Sequence, residues 1–110
     1  MVKQATATLD PVFRALAHPA RRRIVHRLAF GPASVGEVAA PLEMSAPAVS
    51  KHLKVLESAG MVTRRIVGRN HHISLVRSSL ETAGGWISEV EGFWNGSLDM
   101  LRDQIEGGAE

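Results

Sequence analysis

Residues 45 to 69 read Ser-Ala-Pro-Ala-Val-Ser-Lys-His-Leu-Lys-Val-Leu-Glu-Ser-Ala-Gly-Met-Val-Thr-Arg-Arg-Ile-Val-Gly-Arg, and their pattern decides the fold. Ser45 is a helix N-cap type, and Pro47 is tolerated in the first turn that follows. At about 100° per residue, Val49, Leu53 and Leu56 fall within about 40° of one another and form one apolar stripe. Pro47, Ser50, Lys51, Lys54 and Ser58 fall on the opposite side. Gly60 stands where a left-handed C-cap belongs, with Met61 placed to fold back on the helix end. Residues 62–67 and 71–76 then read as two strands joined through Gly68-Arg69-Asn70, a hairpin turn composition.

Upstream, Asp10-Pro11 predicts a helix start, with Val12, Phe13 and Leu16 as its apolar face. A second start at His18-Pro19 carries Ile24, Val25 and Leu28 and stops at Gly31-Pro32. Ser34-Val35-Gly36-Glu37 is a capping box that opens a short helix with Val35, Val38 and Leu42 inward, and Pro41 tightens or ends it. Downstream, a last helix begins near Ser79 or Trp86 and runs to about Ile105, with Gly84-Gly85 leaving its start open. The predicted class is mainly α with a small β-hairpin, in the order α-α-α-α-β-β-α of a winged helix-turn-helix. Residues 1–110 form a single domain, with 79–106 as its C-terminal dimerisation helix and no internal repeats.

Composition excludes several classes. There is no Cys, so disulfides, thiolate metal sites and thiol redox sensing are out. No apolar run approaches a membrane span and the first residues lack a signal peptide's apolar segment, so a cytoplasmic location with no membrane partner is expected. The net charge of +2 hides an asymmetry: residues 1–77 hold 12 Lys and Arg against 4 acids, whereas residues 78–110 hold Arg102 against 7 acids. A basic body joined to an acidic tail predicts that the body meets a polyanion.

The outer face of the 45–58 helix is small, polar and cationic, suited to a major groove about 12 Å wide. Ser45, Ala46, Pro47, Ser50, Lys51 and Lys54 are the DNA-contact candidates, with Ser50 and Lys51 aimed at base edges. In the hairpin, Arg64 and Arg65 point to opposite faces, so at most one touches DNA. Arg65, Arg69 and His71 complete the candidate set, and Arg69 at the turn is best placed for a phosphate or a minor groove.

On the last helix, Ile87, Val90, Trp94, Leu98, Leu101 and Ile105 recur at spacings of 3, 4, 4, 3 and 4, widened on one flank by Trp86 and Phe93. So broad an apolar face exceeds what one small core needs. The expected occupant is a second copy of the chain, helped by Phe13 of the first helix. Gly92 and Gly96 fall on the polar side with no evident reason.

These segments resemble the ArsR family of winged-helix repressors over nearly the whole chain. The resemblance lies in Leu16-Ala17-His18-Pro19-Ala20-Arg21-Arg22-Arg23-Ile24-Val25, Val35-Gly36-Glu37-Val38-Ala39, Ser45 to Leu56, Ala59-Gly60-Met61-Val62 and Gly68-Arg69. It implies a homodimer on a palindromic operator that represses until an inducer, unknown here, arrives. Two departures stand out. His18 replaces the Asp that usually caps before the proline, and Ala46 occupies a position where Gln is common. Base readout then leans on Ser50, Lys51 and methyl contacts from Ala46 or Ala48.

Metal-sensing relatives use a Cys pair before the reading helix or Asp and His on the last helix. Here the first position reads Val35-Gly36-Glu37-Val38-Ala39-Ala40 and the last helix holds no His, so no metal or cofactor is expected. Nothing predicts catalysis. The alternatives are a winged-helix protein-interaction module that never touches DNA, and a metal-responsive repressor with a non-cysteine site. His52, at the edge of the buried stripe, is expected to be a hydrogen-bonded structural residue. At least one of Arg21, Arg22 and Arg23 is expected to pair with Glu37, Glu43 or Glu57.

Overall fold

In a computed structural model, residues 2–108 are described, excluding the side chains of residues 1–8, 95, 97–99 and 106–110. Helix α1 spans Val2–Leu16 and α2 spans Pro19–Leu28. A short strand β1 (Ala33–Ser34) leads into α3 (Val35–Ala39), and a 3-10 turn follows at Ala40–Leu42. Helix α4 covers Ala46–Ser58, strands β2 and β3 cover Val62–Val67 and Asn70–Leu75, and α5 runs from Arg77 to Gly108. The class is the predicted one: mostly helical with a small antiparallel hairpin.

The apolar stripe of α4 is the hub. Val49, Leu53 and Leu56 are fully buried against Val12 and Ala15 of α1, Ile24 of α2 and Ile73 of β3. The helix is closed at both ends by its own sequence. Ser45 sits in extended backbone and its hydroxyl accepts from the Ala48 N–H at 3.3 Å. At the far end Gly60 takes φ 73°, its N–H donates to Glu57 and the Met61 N–H donates to Leu56. That is the Schellman pattern, and it drives the Met61 side chain into the core.

The hairpin pairs Val62 with Leu75 through Val67 with Asn70. Its two-residue loop has Gly68 at φ 62° followed by Arg69 at negative φ, the sign pattern of a type II′ turn. The sequence reading missed β1. Ala33 and Ser34 pair with Ile73 and His72, too short a stretch to show any period. This third strand ties the entry of α3 to the wing, while Ser34 completes the capping box with Glu37.

Two expectations are corrected. Asp10-Pro11 does not start a helix, because α1 already runs from Val2 and carries Pro11 inside it. The proline removes one backbone bond, but Leu9, Val12, Phe13 and Leu16 all pack on the core, and that burial holds the helix through it. Gly84-Gly85 does not break the last helix, which is continuous for 32 residues. Each glycine costs about 1 kcal/mol against Ala in a helix, and Ala83 beside them is buried against the core. His18 does act as the cap of α2, its Nδ1 accepting from the Ala20 N–H at 3.1 Å.

Helix α5 leaves the body after its first turns. The radius of gyration is 19.2 Å, against about 13 Å for a compact chain of this length.

Candidate nucleic-acid interface

The turn between the 3-10 segment and α4 fixes how the outer face of α4 is presented. Glu43 holds a left-handed conformation at φ 52°, unusual for a side chain with a Cβ. From there Ser45, Ala46, Pro47, Lys51 and Lys54 are exposed, while Ala48 and Ser50 are half-buried. The flank bearing Lys54 and Ser58 overlooks α1, where Pro11 and Arg14 share a shallow cleft with it.

The wing separates its arginines by strand alternation. Arg64 shares the inner face with Ile73 and is held within the chain, donating to Glu57 Oε1 at 2.6 and 3.2 Å and to His71 Nδ1 at 3.1 Å. This clamp fastens β2 to the C-terminal turn of α4, so reading helix and wing keep one orientation. A carboxylate and an inward strand position seven residues apart across a glycine cap were its only sequence signal. Arg65 lies on the opposite face and Arg69 at the tip, both exposed. Among the described residues neither side chain has a hydrogen bond or ion pair within the chain. His71 is half-buried beside Arg64, on the inner face.

The three consecutive arginines of α2 behave differently from the expectation. Among the described residues none pairs with an acid. Arg21 donates from Nε to the Ala15 carbonyl at 2.6 Å and from Nη2 to the Arg14 carbonyl at 3.3 Å. Arg22 donates to the Leu16 carbonyl at 2.8 Å, and Arg23 to the Pro41 carbonyl at 2.7 Å. The last carbonyls of a helix have no intrahelical partner, and the Arg21 and Arg22 guanidiniums supply donors for the end of α1, whereas Arg23 ties α2 to the 3-10 turn. Glu37 instead lies 3.6 Å from Arg27, and Glu57 pairs with Arg64. The Ser34 backbone N–H, then its hydroxyl, hold the Glu37 carboxyl below its usual range.

His52 is hydrogen-bonded, as expected: its Nδ1 accepts from Arg21 Nη1 at 3.3 Å, and its ring lies 4.4 Å from that of His18. Burial pushes its pKa down, and the neighbouring His18 and Arg21 charges add to that. Among the described residues no three His, Asp or Glu side chains gather as a metal site. No described helix is long and apolar enough to cross a membrane.

The face of α5 is open. Ile87, Val90, Trp94, Leu101 and Ile105 are all exposed, Phe93 is 78 % exposed, and the Leu98 side chain lies outside the described residues. Half-buried Phe13 meets Trp86 edge-on, with ring centroids 5.6 Å apart, which continues the apolar surface from α5 onto α1.

With this geometry established, comparison with known proteins is direct. A family model described as a helix-turn-helix domain matches residues 16–65. The HTH-type transcriptional regulator Rv2034 of Mycobacterium tuberculosis is 42% identical over 97 residues, covering 88% of each chain. The transcriptional repressor SdpR of Bacillus subtilis is 29% identical over 79 residues, 72% of this chain and 88% of its own. Among solved structures, the crystal structure of an ArsR family transcriptional regulator superposes with a TM-score of 0.74. It is 33% identical and covers 80% of this chain and 97% of its own.

Proposed function

The chain belongs to the ArsR family of winged helix-turn-helix transcriptional regulators, a DNA-binding and non-enzymatic family, and from that premise we propose that it is a homodimeric repressor of a palindromic operator. It acts in the cytoplasm, with α4 in the major groove and the wing against the backbone. The observation that carries this reading is the pairing of two surfaces. The outer face of α4 is exposed with two lysines, and beside it the Glu57–Arg64 clamp holds a wing whose Arg65 and Arg69 have no partner among the described residues.

Ser50 and Lys51 reach base edges, Ala46 and Pro47 contact thymine methyls, and Ser45, Lys54, Arg65 and Arg69 grip phosphates, while His71 stays with Arg64 on the inner face of the hairpin. A carboxylate-free outer face on α4 fits a polyanion better than it fits an acidic or apolar protein partner.

The dimer rests on α5. A helix that leaves two tryptophans and a phenylalanine exposed across one broad face is incomplete alone, and a two-fold copy covers the same face on both chains. Two reading helices then sit about one turn of DNA apart, about 10–10.5 bp between half-site centres.

Selection of bound fragments from genomic DNA, followed by salt titration on the recovered duplex, tests this. With roughly 6–10 phosphate contacts, affinity falls about 10³–10⁵-fold between 50 and 200 mM salt. Failure to recover any duplex, or binding insensitive to salt, contradicts it.

A further inference from the structure

Between α2 and the 3-10 turn lies a cleft of about 610 Å³, floored by the core residues Val38 and Leu42 and outside the candidate DNA-facing surface. Its apolar wall is Pro19, Val38, Pro41, Leu42 and Phe30, and Phe30 is 80% exposed. His26 meets the Phe30 ring edge-on at 5.5 Å. The polar rim is Arg22, Arg23 and Arg27, with no carboxylate among the lining residues.

Those guanidiniums are occupied without being neutralised. Arg22 and Arg23 donate to main-chain carbonyls, which carry no charge, and each retains free N–H donors out of five. Arg27 is the partial exception, with Glu37 at 3.6 Å. A pocket within the 300–1,000 Å³ range of small-molecule sites, apolar within and cationic at its edge, matches one ligand chemistry. We propose that this cleft binds an organic anion with an aromatic or aliphatic body, and that its occupation weakens DNA binding.

The coupling runs through one bond. Arg23 Nη2 spans the cleft to the Pro41 carbonyl at 2.7 Å, joining α2 to the 3-10 turn. Two residues beyond Pro41, Glu43 holds its left-handed conformation at the start of the turn into α4. Such a conformation persists only while its surroundings hold it. A ligand carboxylate competes with the Pro41 carbonyl for Arg23, and the ligand's body separates Val38 and Leu42 from Pro19. Both effects loosen the turn that aims α4. The effect on DNA rests on the reading of α4 given above, whereas ligand binding does not.

The probe is naphthalene-2-carboxylate, with naphthalene-2-methanol as its neutral analogue, followed by amide chemical shifts of the full-length labelled protein. The carboxylate moves the amides of Phe30, Val38 and Leu42 saturably, and the alcohol binds about tenfold or more weaker. Phe30→Ser and Arg23→Gln each weaken the carboxylate about tenfold, and Phe30→Ser leaves DNA binding unchanged in the absence of ligand. Shifts confined to α5, no saturable shift, or equal binding of the alcohol overturns the site. If the site binds and a genomic duplex binds without mutual effect, the coupling is overturned while the site stands. If no duplex binds at all, the DNA reading fails and the shift map still decides the site.

Discussion

Helices α4 and α5 are both amphipathic, and they resolve the same problem in opposite ways. On α4 the apolar stripe of Val49, Leu53 and Leu56 is wholly covered within the chain, both ends are capped, and what remains outside is small, polar or cationic except for Val55. On α5 the covered residues end near Ala83, and beyond them an apolar line runs along the helix in the open. The stripe of α4 is completed by its own chain. That of α5, on the reading proposed above, is half of an interface. The difference teaches that an amphipathic pattern marks burial without saying which molecule supplies the cover, and that the surplus beyond the local core carries the assembly.

Charging the open line is the largest way to test that contrast. Trp94→Glu with Leu101→Glu places carboxylates where the dimer buries apolar groups, so sedimentation shows a folded monomer with its helical signal kept. Operator affinity then falls on the order of a hundredfold or more, since one half-site supplies half the contacts. A double variant that remains dimeric makes α5 a helix without a partner. Truncating the covered line does the reverse: Leu53→Ala costs about 2–5 kcal/mol of folding stability, read by thermal denaturation.

A second comparison, between basic clusters, sharpens the first. Arg21, Arg22 and Arg23 are adjacent in sequence and close carbonyls within the fold, whereas Arg65 and Arg69 extend to solvent. Arg21→Ala leaves the Ala15 carbonyl without this donor and costs about 1.5–3 kcal/mol, as hydrogen bonds to charged groups do. The melting temperature drops by several degrees in consequence.

His52 gives a pH dependence whose sign follows from its environment. Its folded pKa lies below the usual 6.5, so the unfolded chain takes up the proton first. Stability is therefore full above about pH 6.5 and declines as pH falls towards the lowered folded value. His52→Gln keeps an acceptor for Arg21 and flattens this slope, measured by urea unfolding across pH. An unchanged slope in that variant means that another group titrates. The smallest effect is expected at Arg69→Ala: unchanged melting temperature, slightly weaker binding to every duplex, and a salt slope shallower by about 0.9.

Much of this was legible in sequence because the signals were local. The Ser45 cap, the Ser34–Glu37 capping box, the Gly60–Met61 ending and the hairpin turn each concern residues within a few positions of one another. What escaped was decided at longer range. Pro11 and Gly84-Gly85 read as boundaries by propensity, and burial of their neighbours carries both helices through them. The partners of Arg21 to Arg23 are carbonyls, which every residue possesses and no sequence distinguishes. His18 departs from the usual Asp, yet one ring nitrogen suffices to accept from Ala20. In the candidate interface, alternation separated Arg64 from Arg65, but the partnership of Arg64 with Glu57 needed the fold.

The central claim is that the outer face of α4 reads sequence while the wing only holds the backbone. The most direct measurement is the ratio of affinities for the selected operator and a scrambled duplex at one salt concentration, in three variants. Ser50→Ala and Lys51→Ala are expected to lower this ratio by about 1–3 kcal/mol per lost base contact, while Arg69→Ala weakens both duplexes alike and leaves it unchanged. Equal losses on both duplexes in all three variants contradict the account.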